Sequence, residues 1–120
     1  MTKIMLIEDD QTMLTLLGTL LDMEGFQVVK IDKFDSIVDD IRKEDPDVIL
    51  MDVHLEDKDG IEILMVLRHD SQLKKKKVIM SSGMDKRYES NKAGADDFLM
   101  KPYMPDELIG KVKQLIGQVN

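Results

Sequence analysis

The chain has 120 residues, of which 42% are hydrophobic and 34% charged, with a formal net charge of −7 and no cysteine. This length predicts one domain over residues 1–120 that can bury a core, and the lack of cysteine excludes disulfides and thiolate metal sites. The negative charge argues against direct nucleic acid binding. No apolar run reaches the roughly 18 residues of a membrane helix and no signal peptide is evident, so we expect a cytoplasmic protein.

Short apolar runs alternate with amphipathic stretches from end to end, which is typical of repeated βα units. The predicted strands are residues 4–7, 28–29, 48–51, 78–80 and 98–100. The third run is apolar at every position, as a parallel sheet covered on both faces requires. Right-handed crossovers then favour an α/β, doubly wound five-stranded parallel sheet with strand order 2-1-3-4-5 and helices on both faces.

Five helices are predicted between and after these strands. The first has helical apolar spacing and ends at Gly25, the second ends before Pro46, and the third opens at Gly60. Residues 85–92 are only weakly amphipathic, and the last helix begins at Pro105. The apolar positions expected to face the core are Met13, Leu14, Leu16, Leu17, Leu20 and Leu21; Phe34, Ile37, Val38 and Ile41; Ile61, Leu64 and Leu67 or Met65; Leu108, Val112, Leu115 and Val119.

Short segments that carry polar side chains follow four of the five predicted strands. They are Glu8, Asp9 and Asp10 after the first strand, Asp52 after the third, Ser81, Ser82 and Gly83 after the fourth, and Lys101 and Pro102 after the fifth. Open α/β sheets place their ligand chemistry at the carboxyl ends of the strands. In the predicted strand order these groups meet at one edge of the sheet.

This set of side chains indicates phosphoryl transfer onto an aspartate. A carboxylate cluster of this kind either holds protons or binds a hard cation, and Mg²⁺ fits because it accepts one or two carboxylates together with waters and phosphate. Lys101 can pair with one phosphoryl oxygen and the Ser82 hydroxyl can donate to another. Asp52 can act as the nucleophile, because carboxylates form aspartyl phosphates.

Each feature taken alone also has a simpler interpretation. The acids after the first strand can cap the first helix, the paired serines can be loop hydroxyls, and Lys101 can be a solvated charge. The basic run at 74–77 is most often a solvated loop. Only the joint placement at the strand ends favours the functional interpretation.

The whole chain resembles the receiver domain of two-component response regulators, which has a flavodoxin-like fold. The motifs that carry the resemblance are "IEDD" at 7–10, "ILMDVHLEDKDG" at 49–60, "VIMSSG" at 78–83 and "AGADDFLMKPYMPDEL" at 93–108. Together they are highly specific, although any one of them is weak. The resemblance implies a phosphorylation-activated signalling switch, with no catalysis beyond its own phosphorylation and dephosphorylation.

The resemblance also implies a role for each site residue. Asp52 is the phosphoacceptor, and Glu8 and Asp9 are the acidic pair that serves Mg²⁺. Asp9, Asp52 and the backbone carbonyl of His54 are expected as direct ligands of the metal. The remaining roles are the switch hydroxyl for Ser82, the phosphate-binding lysine for Lys101, the switch aromatic for Phe98, space for the phosphate at Gly83, and a cis peptide at Lys101-Pro102.

Three positions depart from the family's usual pattern. Glu56 stands where the family usually has proline, and serine replaces threonine at 82. Ser82 and Lys101 are only 19 positions apart, fewer than usual, which predicts a fourth helix about one turn short. Because that helix belongs to the usual output surface, we expect a monomer or a weak dimer.

The implied partners are a histidine kinase or phosphotransfer protein and an unidentified output protein, with no nucleic acid and no membrane. Two other functions fit the sequence less well. An aspartyl-phosphate phosphatase usually has a second aspartate two residues after the nucleophile, where this chain has His54. A flavin-binding module would place hydroxyls or glycines after the first strand, where Glu8 and Asp9 would repel the flavin phosphate.

Overall fold

Twelve elements make up the computed structural model, which describes residues 1–117. In chain order they are β1 (Lys3–Ile7), α1 (Gln11–Met23), β2 (Gln27–Ile31), α2 (Ile37–Glu44), β3 (Val48–Asp52), β4 (His54–Leu55), β5 (Lys58–Asp59), α3 (Gly60–His69), β6 (Lys77–Ser82), α4 (Arg87–Ala93), β7 (Asp97–Met100) and α5 (Pro105–Leu115). The predicted βα alternation is confirmed, and a short β4–β5 hairpin is added to it.

The main sheet has five parallel strands in the order β2-β1-β3-β6-β7. Counted within that sheet alone, this is the predicted order 2-1-3-4-5. The fully apolar third run lies at the centre, and every residue of β3 is buried. Strand β2 lies at an edge and exposes Gln27 and Lys30, which explains why its apolar signal extended over only two residues.

Helices cover both faces of the sheet and bury two separate apolar clusters. On one face, α2 and α3 pack through residues such as Ile41 and Leu64 against inward side chains of β1, β3 and β6. On the other, α1 and α5 pack through residues such as Leu17 and Val112. The helices cover the faces of the sheet and leave the carboxyl ends of its strands uncovered. These are the ends of β1, β3, β6 and β7.

Local sequence signals set most helix ends. The Asp10 side chain accepts a hydrogen bond from the Met13 N–H and caps α1. Asp45, before Pro46, adopts a left-handed φ of 51° and ends α2, and Pro105 is the first residue of α5. Gly25, just after α1, has a φ of 93°.

Some expected core positions are wrong. Leu16 is 48% exposed. Of the two alternatives in α3, Leu67 is the buried one and Met65 is 47% exposed. Phe34 is buried but precedes α2 rather than lying within it. Val119 lies outside the described residues. Within residues 1–117, no helix is both long enough and apolar enough to cross a membrane.

Candidate functional site

Three carboxylates meet where β1 and β3 end side by side in the sheet. One ligand atom from each of Glu8, Asp9 and Asp52 lies within 4.8 Å of the other two. Glu8 and Asp52 are only 3% and 7% exposed, whereas Asp9 faces solvent. The predicted convergence of these acids is therefore present, with two buried oxygen donors and one accessible donor.

Lys101 lies among these acids, just after β7. Its Nζ donates to Oε1 of Glu8 at 2.7 Å and to Oδ2 of Asp52 at 2.9 Å. The second oxygen of Glu8 accepts the Asp10 N–H at 3.2 Å. Lys101 thus supplies one positive charge against three carboxylates, which leaves two negative charges when all are ionised.

The electrostatics of Glu8 and Lys101 reflect this arrangement. Burial raises the pKa of the Glu8 carboxyl above its ordinary value, although the hydrogen bond and charge of Lys101 oppose the rise. Burial alone would lower the pKa of Lys101, but its hydrogen bonds to Glu8 and Asp52 outweigh burial and raise it. The lysine therefore remains a cation in this pocket.

The carboxylate set fits a hard divalent cation. Its donors are all oxygens. Lys101 holds Glu8 and Asp52 in place, and the Asp10 N–H also holds Glu8. The two negative charges that remain would be balanced by one divalent cation. Glu8, Asp9 and Asp52 are the residues that could hold it.

A tight turn after β3 shapes the loop beside Asp52. The His54 N–H donates to Oδ1 of Asp52 at 3.3 Å, and the Glu56 N–H donates to Oδ2 of Asp9 at 3.4 Å. Glu56 has a φ of 55° at the tip of the β4–β5 hairpin, a region that proline cannot enter. A proline at position 56 could not adopt the backbone conformation that Glu56 has in this loop.

Gly60 lies in close contact with the backbone of Asp52. Its N–H donates to the Val53 carbonyl at 2.7 Å, and a Cβ built on Gly60 would overlap the Asp52 carbonyl oxygen. Asp59 caps α3 by accepting the Ile61 N–H at 2.9 Å. The Asp-Gly pair thus begins α3 and allows that helix to approach the strand that carries Asp52.

Ser82 and Phe98 occupy the α3 face of the sheet. Ser82 is the last residue of β6, not a residue after it, and its hydroxyl accepts the Met84 N–H at 3.1 Å. Phe98 is 5% exposed, and the Arg87 guanidinium lies 5.5 Å from the centre of its ring. This cation–π contact joins α4 to the expected switch residue, and nothing in the sequence pattern indicated it.

Two buried hydroxyls near the carboxylates were not predicted as site residues. Ser81 is 1% exposed and pairs in register with Asp52, and its Oγ has no hydrogen-bond partner among residues 1–117. Tyr103 also has a buried hydroxyl without a partner in that part of the chain. Burial raises the pKa of Tyr103 to about 12, with smaller effects from Lys101, Glu8 and Asp52.

The other expected features have definite positions. The Lys101-Pro102 peptide is cis. A Cβ on Gly83 would meet no atom within 4 Å, so the space beside Ser82 is open. His54 is exposed. Asp10 alone of the first acidic run caps α1, and in the basic run Lys76 pairs with Asp45 while its neighbours are solvated.

Comparison with known proteins gives the family. The family model described as "Response regulator receiver domain" matches residues 4–113. The transcriptional regulatory protein CpxR of Escherichia coli is 35% identical over 97% of this chain and 50% of its own length, and the phosphate regulon transcriptional regulatory protein PhoB of the same organism is 28% identical over 98% of this chain and 53% of its own. The chain spans about half the length of these curated relatives.

Solved structures agree with this match. The receiver domain of the Francisella response regulator 1452 is 28% identical, with a TM-score of 0.89 and complete coverage of both chains. The receiver domain of the Pseudomonas aeruginosa sensor histidine kinase PA1611, described with a magnesium ion coordinated in its active site cleft, is 25% identical with a TM-score of 0.86 and covers 97% of this chain and 98% of that one.

Proposed function

The chain belongs to the response regulator receiver domain family of two-component systems, and from this premise we propose that Asp52 accepts a phosphoryl group from a histidine kinase or phosphotransfer protein with Mg²⁺. The observation that carries the proposal is the position of Lys101, whose Nζ contacts both Glu8 and Asp52 while Asp9 lies within reach of both acids. The ammonium group of such a lysine can exchange its hydrogen bond to the carboxylate for one to an arriving phosphoryl group.

In the proposed reaction a carboxylate oxygen of Asp52 attacks phosphorus. A P–O bond to Asp52 forms, the P–N bond to the donor histidine breaks, and the electron pair of that bond leaves with the imidazole. Asp9, Asp52 and the His54 carbonyl would hold Mg²⁺, which would neutralise charge on the phosphoryl oxygens. Lys101 then pairs with a phosphoryl oxygen, and the buried position of Asp52 limits the access of water.

Switching would proceed through Ser82 and Phe98. The hydroxyl of Ser82 can exchange the Met84 N–H for a phosphoryl oxygen. Because alternate residues of a strand face opposite sides, Ser82 shares its face with Met80 and hence with Phe98, which pairs in register with Met80. A shift of Ser82 therefore changes the packing of Phe98, and through Arg87 it reaches α4.

We propose a protein as the output partner and a monomer or weak dimer as the activated state. Helix α4 has only seven residues, and of these Tyr88 is 71% exposed. Stable interfaces bury about 800 Å² per partner, more than this short helix offers alone. Sedimentation with and without beryllofluoride tests the proposal: a tight activated dimer that is lost on Tyr88→Ala, but kept on Leu16→Ala in α1, would overturn it.

The direct test of phosphoacceptance is incubation with acetyl phosphate and Mg²⁺, followed by intact mass measurement. Acetyl phosphate supplies the same group with acetate as the leaving group. We expect one added phosphoryl group in the natural sequence and none in Asp52→Asn. Asp47→Asn, at an exposed carboxylate at the opposite end of the strands, is the control. A phosphoryl group on Asp52→Asn would refute the assignment.

A further inference from the structure

Ser81 is a buried hydroxyl for which the proposed reaction, as described so far, has no use. Its exposure is 1%, and within the described 117 residues its Oγ has no hydrogen-bond partner. A buried polar group without a partner lowers the stability of the folded protein. A hydroxyl held at such a cost indicates a partner that appears only in another state of the site.

The sheet places this hydroxyl beside the phosphoacceptor. Ser81 in β6 and Asp52 in β3 are register partners in neighbouring parallel strands, which lie ~4.8 Å apart with paired side chains on the same face. The residues two positions earlier, Ile79 and Leu50, pair in the same way and share the α1 and α5 cluster. Ser82, one residue later, faces the other side, so the two serines are not interchangeable.

Phosphorylation changes which donors Asp52 has. In the structure its Oδ2 accepts from Lys101 and its Oδ1 accepts the longer bond from the His54 N–H. Once one oxygen carries phosphorus, the phosphoryl group holds more negative charge than the carboxyl and attracts the Lys101 ammonium. The carboxyl oxygen without phosphorus then shares its donors with the phosphoryl group and, beside any Mg²⁺ that Asp52 would hold, keeps a lone pair for a further donor.

We propose that the Ser81 hydroxyl donates to the Asp52 oxygen that does not carry phosphorus, and so stabilises the phosphorylated form. This inference rests on the proposed function. The hydroxyl reaches that oxygen by rotation about χ1, because the two side chains are neighbours on one face of the sheet. Ser81 is therefore a second hydroxyl of the site, with a role separate from that of Ser82.

The inference predicts opposite effects of one substitution on stability and on the activated state. In Ser81→Ala the unpartnered hydroxyl is gone, so the ratio of folded to unfolded protein without phosphate should rise about fivefold. The affinity for beryllofluoride in saturating Mg²⁺ should fall about fivefold, because one hydrogen bond of the activated state is lost. Urea denaturation and isothermal titration calorimetry measure these two quantities.

Ser90→Ala is the matched control. Ser90 is 0% exposed, its Oγ is also without a partner in the described part of the chain, and it lies in α4 rather than beside Asp52. Its substitution should raise stability in the same way and leave beryllofluoride affinity unchanged.

Three results overturn the inference: unchanged beryllofluoride affinity in Ser81→Ala, an equal loss in Ser90→Ala, or no gain in stability in Ser81→Ala. The natural sequence is carried through the same titration and the acetyl phosphate assay. If it binds no beryllofluoride and gains no phosphoryl group, the proposed function itself has failed. If it does both while Ser81→Ala matches it, only the role of Ser81 has failed.

Discussion

The ammonium nitrogen of Lys101 lies 2.7 Å from Oε1 of Glu8, although 93 positions separate the two residues in the sequence. The lysine thereby satisfies a buried carboxylate that a divalent cation would also attract. In the absence of phosphate, Lys101 and a metal ion compete for the same negative charge.

We expect Lys101→Met to bind Mg²⁺ more tightly and to accept a phosphoryl group more slowly. Without the ammonium group, the carboxylate charge that it neutralised attracts the metal instead. The affinity for Mg²⁺ should therefore rise about tenfold, equivalent to ~1.4 kcal/mol. It also removes the cation that would pair with the incoming phosphoryl group. Calorimetry with Mg²⁺ and the rate of mass gain with acetyl phosphate measure the two effects. Lys111→Met, which removes a lysine paired with Asp97, should change neither, and weaker Mg²⁺ binding in Lys101→Met would contradict the competition.

Asp9 and Asp10 are adjacent acids with separable roles. Asp9→Ala should weaken Mg²⁺ binding by at least about tenfold, since even outer partners of metal sites contribute that much, and should leave stability nearly unchanged because Asp9 is exposed. Asp10→Ala should lower the free energy of unfolding by about 1 kcal/mol through loss of the α1 cap and should retain Mg²⁺ affinity. Calorimetry and urea denaturation of both variants decide the matter, and exchanged phenotypes would show that Asp10 is the metal ligand.

Gly60→Ala should destabilise the fold and disturb the phosphoacceptor together. The new Cβ would overlap the Asp52 carbonyl oxygen, and overpacking of this kind costs about 1–3 kcal/mol. Gly110→Ala in α5 meets nothing within 4 Å, so it should stabilise the protein by about 0.5–1 kcal/mol through helix propensity. Urea denaturation and acetyl phosphate labelling test both variants. A Gly60→Ala protein of natural stability and labelling rate would show that the contact is not required.

The pair of Arg42 and Asp70 should contribute to stability above acidic pH. The hydrogen bond from Arg42, followed by those from the Gln72 and Leu73 N–H groups, lowers the pKa of Asp70 below its ordinary value. A carboxyl with a lowered folded-state pKa stabilises the fold above its unfolded pKa and loses that contribution as pH falls through the folded value.

Asp70→Asn should therefore be less stable than the natural sequence at neutral pH. The difference should close as the pH falls from the ordinary pKa of an aspartate through the lowered pKa of Asp70. Urea denaturation across that range measures it, with Asp35→Asn, an exposed site before α2, as the control. A difference that persists unchanged at low pH would show that the charge of Asp70 is not its source.

The sequence predicted the sheet and the meeting of Glu8, Asp9, Asp52 and Lys101 for one physical reason. Each strand of the interior is apolar along its length and polar immediately afterwards, so parallel strands that stack in order must bring those polar ends together. Agreement across several strands made the prediction specific, although none of the four side chains was informative alone.

The features that the sequence did not predict depend on where a strand ends and which face a residue takes. The sequence predicted that β6 ends at Met80, so both serines were expected in a loop. Because β6 continues to Ser82 and alternate residues of a strand face opposite sides, Ser81 and Ser82 lie on opposite faces of the sheet. The β4–β5 hairpin has two-residue strands, too short for an apolar pattern. Leu16 fits the helical spacing of α1 yet lies beyond the width of its buried face.

Helix α4 rests on the sheet through little apolar surface. Its one buried residue within 87–93 is Ser90, whereas each of the other four helices buries at least two apolar or glycine positions that include isoleucine, leucine or valine. Segments with few buried apolar contacts open locally at a free energy below that of global unfolding. Amide hydrogens of α4 should thus exchange with solvent by local opening while those of β3 exchange only when the whole domain unfolds. We therefore expect the helix that carries Arg87 over Phe98 to open and close as a unit of its own, without unfolding of the sheet beneath it.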